Sequence, residues 1–319
     1  MFTAWQKFRR GKHRRQDVLN FERDLEKNIF ELQAELKSSS YKHGSYEPFT
    51  VWDPKQRRIH KANVRDRLVH QALVSAIEPI FELGFIYDSF SCRKGKGTHA
   101  GVARLRHFLQ KTSRNNSKTV YALKCDIFKF FASVEHTKLL DLLSVYIRDE
   151  RATKLLAEII NSFSVAPGKG IPLGNLTSQL FANVYMHEFD WFVKHNLRQK
   201  YYVRYCDDFI IVDPNRQELL DLLPAIEQFL SQELKLTIHP DKIAVRSWNQ
   251  GIDFLGYVLK PHCTLLRTKT KTRLLKKVNL ANLSSYLGLC VHANSYELQQ
   301  LAKIKAYENS NYYSVSGDV

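Results

Sequence analysis

A chain of 319 residues, 44% hydrophobic and 25% charged, has the material for one large packed domain or two to three small ones, which excludes wholesale disorder. Lysine and arginine exceed aspartate and glutamate by 16 charges, and the excess falls in blocks, as suits a polyanionic partner whose phosphate contacts release counterions. The five cysteines (Cys92, Cys125, Cys206, Cys263, Cys290) contain no CxxC pair, which argues against a disulfide framework or a zinc cluster and fits a reducing compartment. No apolar run reaches membrane-spanning length. The first 15 residues are basic and aromatic, unlike a secretory signal. The expectation is a cytoplasmic protein with no membrane partner.

After the basic arm, Leu25, Ile29, Leu32 and Leu36 fall at steps of four, three and four residues, which predicts an amphipathic helix starting near Asp17. Residues 38–47 read as a loop, 49–52 as a short strand, 53–56 as a turn and 57–61 as the return strand. A helix is expected over 66–77. A basic loop with glycines follows at 91–98, then a helix over 99–110 and a polar connector at 111–118. Residues 120–125 form a buried strand that ends on Asp126. Helices are expected over 135–147 and 152–163, then a loop at 167–174 and a long helix to about 195. The apolar runs 201–205 and 209–212 predict a tight hairpin with acids at its tip. An amphipathic helix to about 230, short strands at 236–239, 243–246 and 254–259, and a helical, strongly basic C-terminal stretch complete the reading.

Two acidic positions stand out because each closes an apolar strand. Asp126 ends Tyr121-Ala122-Leu123-Lys124-Cys125-Asp126, and Asp207-Asp208 lies between Val203-Arg204-Tyr205 and Phe209-Ile210-Ile211. A carboxylate there carries a desolvation cost unless a cation, a donor or water meets it. Two such strand ends side by side form an all-oxygen site suited to Mg²⁺. A lone Asp-Asp pair is usually a solvated turn; strand-forming residues on both sides and a matching strand-end acid turn the balance towards metal binding.

These residues resemble the reverse transcriptase family. Tyr205-Cys206-Asp207-Asp208 is similar to its Tyr-x-Asp-Asp box, and Lys124-Cys125-Asp126-Ile127-Phe128-Lys129-Phe130-Phe131 to the strand carrying its first catalytic aspartate. Ile171-Pro172-Leu173-Gly174-Asn175-Leu176-Thr177-Ser178-Gln179-Leu180-Phe181-Ala182-Asn183 resembles the loop–helix block between them. Arg65-Asp66-Arg67 and Ser89-Phe90-Ser91-Cys92-Arg93-Lys94-Gly95-Lys96-Gly97 resemble the fingers blocks, and Phe254-Leu255-Gly256-Tyr257 the primer-gripping turn. The blocks occur in family order across roughly residues 41 to 260.

The resemblance implies an α+β right-hand polymerase fold. A basic N-terminal arm and helix would cover 1–40, fingers and an antiparallel-sheet palm 41–261, and a short helical thumb 262–319. It implies RNA-directed DNA synthesis by a nucleotidyltransferase, with Asp126, Asp207 and Asp208 as catalytic residues. Two Mg²⁺ ions would be held by Asp126, Ile127, Asp207 and Asp208. Arg65, Arg93, Lys96, Phe131, Leu173, Gly174 and Lys242 would meet the nucleotide, with Arg93 on the triphosphate, Phe131 as steric gate against a 2′-hydroxyl and Lys242 near the leaving pyrophosphate. Phe254, Leu255 and Gly256 would grip the primer. Outside this frame Phe131 would be plain core, Lys242 a solvated charge, and the basic stretches ordinary surface. The Arg-Lys-Gly-Lys-Gly run lacks the GxxxxGK[ST] pattern of a P-loop.

The departures from the family pattern narrow it. Leu173 stands where most relatives carry Gln, and Gln179 where they carry Pro. Both are similar to diversity-generating retroelement reverse transcriptases, as are Ser284-Ser285-Tyr286-Leu287-Gly288 and His292-Ala293-Asn294-Ser295-Tyr296. That group implies a bacterial or phage enzyme with no RNase H, maturase or endonuclease domain after the thumb. It copies a template-repeat RNA into cDNA with errors at adenines, for mutagenic retrohoming. Its partners are template RNA, the primer–template duplex, deoxynucleoside triphosphates and an oligomeric basic accessory protein. The alternatives are a group II intron-like or phage-defence reverse transcriptase and, in another class, a non-catalytic nucleic-acid-binding protein on a dead polymerase scaffold.

Overall fold

In the computed structural model, which describes residues 1–52 and 55–315, helices α1 (Phe2–Arg9), α2 (Gln16–Arg23) and α3 (Leu25–Lys37) precede a hairpin of β1 (Tyr46–Val51) and β2 (Arg57–Ala62), and α4 (Val64–Glu82) follows. The basic arm is therefore helical over Phe2–Arg9 and turns over residues 10–14. Ala4, Trp5 and Phe8 fall on one face at i, i+1 and i+4, so they are buried and α1 packs on α4. The helix expected from Asp17 is two helices, broken at Asp24 (φ −116°, ψ 40°). Its stripe holds all the same: Ile29 and Leu32 are buried, with Leu25 and Leu36 packed beside them. The β1–β2 register runs from Tyr46↔Ala62 to Val51↔Arg57; within the turn expected at 53–56, Asp53 and Pro54 lie outside the described residues. α4 begins earlier than its apolar pattern because the Asn63 side chain accepts a hydrogen bond from the Asp66 N–H, an N-cap.

Next come α5 (Thr98–Thr112), β3 (Tyr121–Asp126), the short α6 (Phe130–Ser133), α7 (His136–Ser144), α8 (Glu150–Asn161) and α9 (Leu176–Trp191), the last ending in a π-helical turn over Phe192–Asn196. The hairpin of β4 (Tyr202–Tyr205) and β5 (Asp208–Asp213) follows, then α10 (Arg216–Asp221) and α11 (Leu223–Glu233). One helix was expected here; it breaks at Leu222, and Pro224 starts a new first turn. The chain closes with β6 (Ala244–Ser247), β7 (Ile252–Phe254), β8 (Tyr257–Leu259), β9 (Thr264–Leu266), α12 (Thr268–Lys277), α13 (Leu283–Cys290) and α14 (Tyr296–Val315). The strand expected at 236–239 makes only a bridge, Ile238 to Ile127, because Leu236 turns its N–H back to the Leu230 carbonyl and Pro240 starts a 3₁₀ turn. The three-residue β9 is too short for its alternation to register in the sequence.

Among the described residues, β4-β5-β3-β6 form one antiparallel sheet and β7-β8-β9 another. Period-two alternation gives the four-stranded sheet two apolar faces. Leu123, Cys125, Tyr202, Phe209 and Ile211 join a core shared with α4, α9 and α11. Ala122, Val203, Ile210 and Val212 join a second core built with α5, the small sheet and the C-terminal helices. Lys124, Asp126 and Asp208 follow the parity of the second face, where β3 runs past the edge of that core. No helix among the described residues is long and apolar enough to cross a membrane.

Candidate active site

Pairing of β3 with β5 sets Asp126 directly opposite Asp208; facing residues of this kind have Cβ atoms about 4.5–5.5 Å apart. Asp207 occupies the two-residue turn between β4 and β5, and its carbonyl accepts the Ile127 N–H at 3.1 Å. Three carboxylates thus gather at one end of the sheet. Burial, then the Asp126 charge, raises the Asp207 carboxyl above its usual range. Burial pushes Asp208 up to about 6 against the opposing pull of Lys124. Asp208 Oδ1 is buried and accepts no hydrogen bond. Lysines meet the strand-end acids: Lys242 Nζ donates to Asp126 Oδ1 at 2.6 Å, and Lys124 Nζ lies 3.2 Å from Asp208 Oδ2.

The turn that carries Asp207 is held from behind. Cys206 has a left-handed φ of 57°, a strained conformation for a residue with a Cβ. Its carbonyl accepts Arg204 Nη1 at 2.9 Å. Arg204 is fully buried and pairs through Nε and Nη2 with both carboxylate oxygens of Asp190, at 2.7 and 2.6 Å. Tyr202 donates to Asp190 Oδ1 at 2.7 Å, and Arg204 Nη2 to Ser89 Oγ at 3.1 Å. Sequence reasoning missed Asp190 and Arg204. The available signal was a charge inside each of two apolar segments, Phe189-Asp190-Trp191 and Val203-Arg204-Tyr205.

A cleft of about 350 Å³ opens beside the acids, lined by Asp126, Asp208, Lys124, Lys242, Arg246 and Arg267 among others. A larger hollow of about 700 Å³ lies between α3 and α8 and contains none of the acids; the chemistry of the donor groups, not size, marks the smaller one. Among the described residues no three His, Cys, Asp or Glu side chains are already drawn into a metal cage. The donor set still fits a hard cation: three clustered carboxylates, one with a buried oxygen that has no hydrogen-bond partner. Ile127 can add only a main-chain oxygen.

Of the residues expected at the nucleotide, Lys242 reaches the acids. Phe131 sits half-buried beyond β3, edge-on to Phe130. Leu173 and Gly174 lie against β2, where the Leu173 carbonyl accepts the His60 N–H at 3.0 Å. Gly174 has φ +103°, and a Cβ there would meet Ile59 Cγ2 at 2.5 Å. Arg93 and Arg65 do not line the cleft, because internal partners engage them. Arg93, with 5% of its side chain exposed, pairs with Glu82 and donates to the carbonyls of Ile86 and Ser89. Arg65 pairs with Glu35 and Asp66 and donates to the Lys42 carbonyl. Lys96 donates to the Tyr87 carbonyl and lies over the Tyr87 ring. The Phe254–Tyr257 pair closes the β7–β8 hairpin around Leu255 (φ 50°) and Gly256 (φ 91°), the positive pair of a type I′ turn.

The sequence profile described as "Reverse transcriptase (RNA-dependent DNA polymerase)" matches residues 42–259, more than half the chain. The chain belongs to the reverse transcriptase family. Among curated relatives of this reverse transcriptase, Protein YkfC of Escherichia coli (strain K12) is 26% identical over 261 residues, covering 68% of each chain. The group II intron-encoded protein LtrA of Lactococcus lactis subsp. cremoris is 21% identical over 297 residues, covering 69% of this chain and 48% of its own. Among solved structures, apo telomerase from Candida tropicalis aligns with a TM-score of 0.53 at 10% identity, over 86% of this chain and 59% of that one. Telomerase from Candida albicans, in complex with a TWJ fragment of telomeric RNA, aligns at 0.54 and 12%, over 86% and 56%. The chain thus spans less than two thirds of LtrA and of both telomerase chains. The neighbours agree with the α+β right-hand polymerase fold expected from the sequence.

Proposed function

We propose that this chain is an RNA-directed DNA polymerase with Asp126, Asp207 and Asp208 as its catalytic carboxylates. The observation that carries the reading is the β3–β5 register, which brings Asp126 opposite Asp208 with Asp207 on the adjoining turn, at a cleft rimmed by cations. These carboxylates and the Ile127 main chain would hold two Mg²⁺ ions. When bound, such ions activate a primer 3′-hydroxyl and stabilise the leaving pyrophosphate. Lys242, whose ammonium meets Asp126, would face the leaving pyrophosphate. Phe131 would meet the sugar, while Leu173 and Gly174 would lie along the nascent pair. Lys96 would serve the triphosphate, and Arg93 and Arg65 would join it only by releasing their present partners. Phe254, Leu255 and Gly256 would place the primer end. The division proposed is an arm and helix over 1–40, fingers and palm over 41–261, and thumb over 262–319. Primer extension on an RNA template with Mg²⁺ tests the reading: Asp207→Ala should fall to background, and extension retained by that variant overturns it.

The finer reading is a cytoplasmic, bacterial or phage diversity-generating enzyme that makes adenine-mutagenic cDNA from a template-repeat RNA with an oligomeric basic accessory protein. Leu173 and Gln179 support it. Leu173 offers no side-chain hydrogen bond to the minor-groove side of the nascent pair, so pair geometry would be checked less tightly. Leu173→Gln should lower adenine misincorporation; an unchanged error spectrum sinks this explanation. Similarity to LtrA favours a second reading, a group II intron-like enzyme. Paired variable and template repeats beside the coding sequence support the first, and their absence favours the phage-defence or group II intron-like alternatives.

A further inference from the structure

Lys124 stands two residues before Asp126 on β3 and, by alternation, on the same face, in a strand otherwise apolar up to its last residue. Its Nζ makes three contacts. It lies 3.2 Å from Asp208 Oδ2, donates to the Asp253 carbonyl at 2.9 Å, and lies 4.0 Å from Asp253 Oδ1. Asp253 belongs to β7, the strand that enters the Leu255–Gly256 turn, and its carboxylate also pairs with Arg267. Arg267 in turn donates its main-chain N–H to the Gly256 carbonyl at 2.9 Å. A continuous polar chain therefore runs from Asp208 through Lys124, Asp253 and Arg267 to Gly256. It joins two hairpins whose sheets share no strand pairing.

We propose that Lys124 is a positioning residue that holds the primer-gripping turn in register with the carboxylate hairpin, so that a primer end seated on Leu255–Gly256 is presented to Asp126, Asp207 and Asp208. The inference rests on the polymerase reading above. An ammonium suits this post: it is a compact charge with three donors on a flexible stem, able to meet a carboxylate, a carbonyl and a second carboxylate together, whereas a planar guanidinium aims its donors in a fixed fork. The contact group is half-enclosed, with 23% of the Lys124 side chain and 18% of the Asp208 side chain exposed, so solvent screens it less than a surface pair. A lysine that only neutralised Asp208 would have no need of the β7 carbonyl.

The test compares wild type, Lys124→Met, Lys124→Arg, Asp253→Asn and the double variant Lys124→Met/Asp253→Asn. Binding of a fluorescent primer–template is measured by anisotropy without Mg²⁺, and single-nucleotide extension is measured with KM taken separately for primer–template and deoxynucleotide. Lys124→Met should weaken primer–template Kd and KM about tenfold, equivalent to ~1.4 kcal/mol, with the deoxynucleotide KM unchanged. Asp253→Asn, which leaves the Lys124–Asp208 contact in place, should move the same quantities, and the double variant should fall short of the summed effects. Lys124→Arg should recover part of the loss. Primer–template constants within twofold of wild type in both single variants overturn the inference. So do equal losses for both substrates accompanied by a lowered melting midpoint and no recovery with arginine. If the wild type itself fails to extend, the polymerase reading falls; if it extends and the variants match it, only the role of Lys124 falls.

Discussion

Replacing Asp190 by alanine would leave the Arg204 guanidinium enclosed without its counterion. The two side chains have no exposed surface, and they meet through two contacts of 2.7 and 2.6 Å, with the Tyr202 hydroxyl as a third donor to the same carboxylate. Removing one partner of a buried pair costs about 3–5 kcal/mol, since the remaining charge keeps its desolvation penalty and loses its compensation. That is a large share of the ~5–15 kcal/mol by which domains are usually stable. Urea unfolding followed by tryptophan fluorescence should show the unfolding free energy reduced by about 3–5 kcal/mol at an unchanged denaturant slope. The double variant Asp190→Leu/Arg204→Met removes both charges, so most of the stability should return. Extension should stay low, because the Cys206 carbonyl has lost its 2.9 Å donor and the left-handed turn beside Asp207 is no longer held. An Asp190→Ala protein within about 1 kcal/mol of wild type would refute the argument, since the pair would then weigh no more than a surface one. A double variant with full extension would remove the turn-holding role.

Burial, then His43 and Arg67, pushes the His70 imidazole from 6.5 down to about 3. The unfolded chain therefore binds the extra proton between those values, and stability from this group is complete above about 6.5 and is lost as pH falls through the window. His70→Gln should flatten that part of the stability curve in pH-dependent melts; an identical slope would count against it. Gly174→Ala should destabilise by about 1–3 kcal/mol through its positive φ and the contact with Ile59; Ile59→Ala in the same chain should return only the contact part, and equal melting midpoints would contradict the strain. Phe131→Ala should raise ribonucleotide incorporation relative to deoxynucleotide in single-nucleotide assays, and an unaltered ratio would return Phe131 to a purely packing role.

Strand ends were readable because alternation is local: Tyr121 to Asp126 and Phe209 to Val212 declare two-residue periods, and an acid closing an apolar run is visible without knowing its neighbours. Helix breaks at Asp24 and Leu222 were not readable, since the apolar stripe runs on through them and only packing decides where the axis turns. Arginine was the least legible residue type. Arg93 looks like a phosphate ligand in a basic, glycine-containing loop, yet Glu82, eleven positions earlier on α4, engages it. Arg204 is read only as part of an apolar strand, yet its guanidinium holds the turn that carries Asp207.

The amino-acid sequence by itself determined the family, the placing of Asp126, Asp207 and Asp208 at strand ends, and the order of the elements that carry them, because each depends on residues adjacent in the chain. Only the tertiary structure decided the cation partners: Lys242 meets Asp126, Lys124 meets Asp208, and behind the turn Arg204 meets Asp190. The reason is physical. A charge buried at folding must find a partner close by in space, and the partner's place in the sequence is free to be fourteen residues away, as for Asp190 and Arg204, or more than a hundred, as for Lys242 and Asp126.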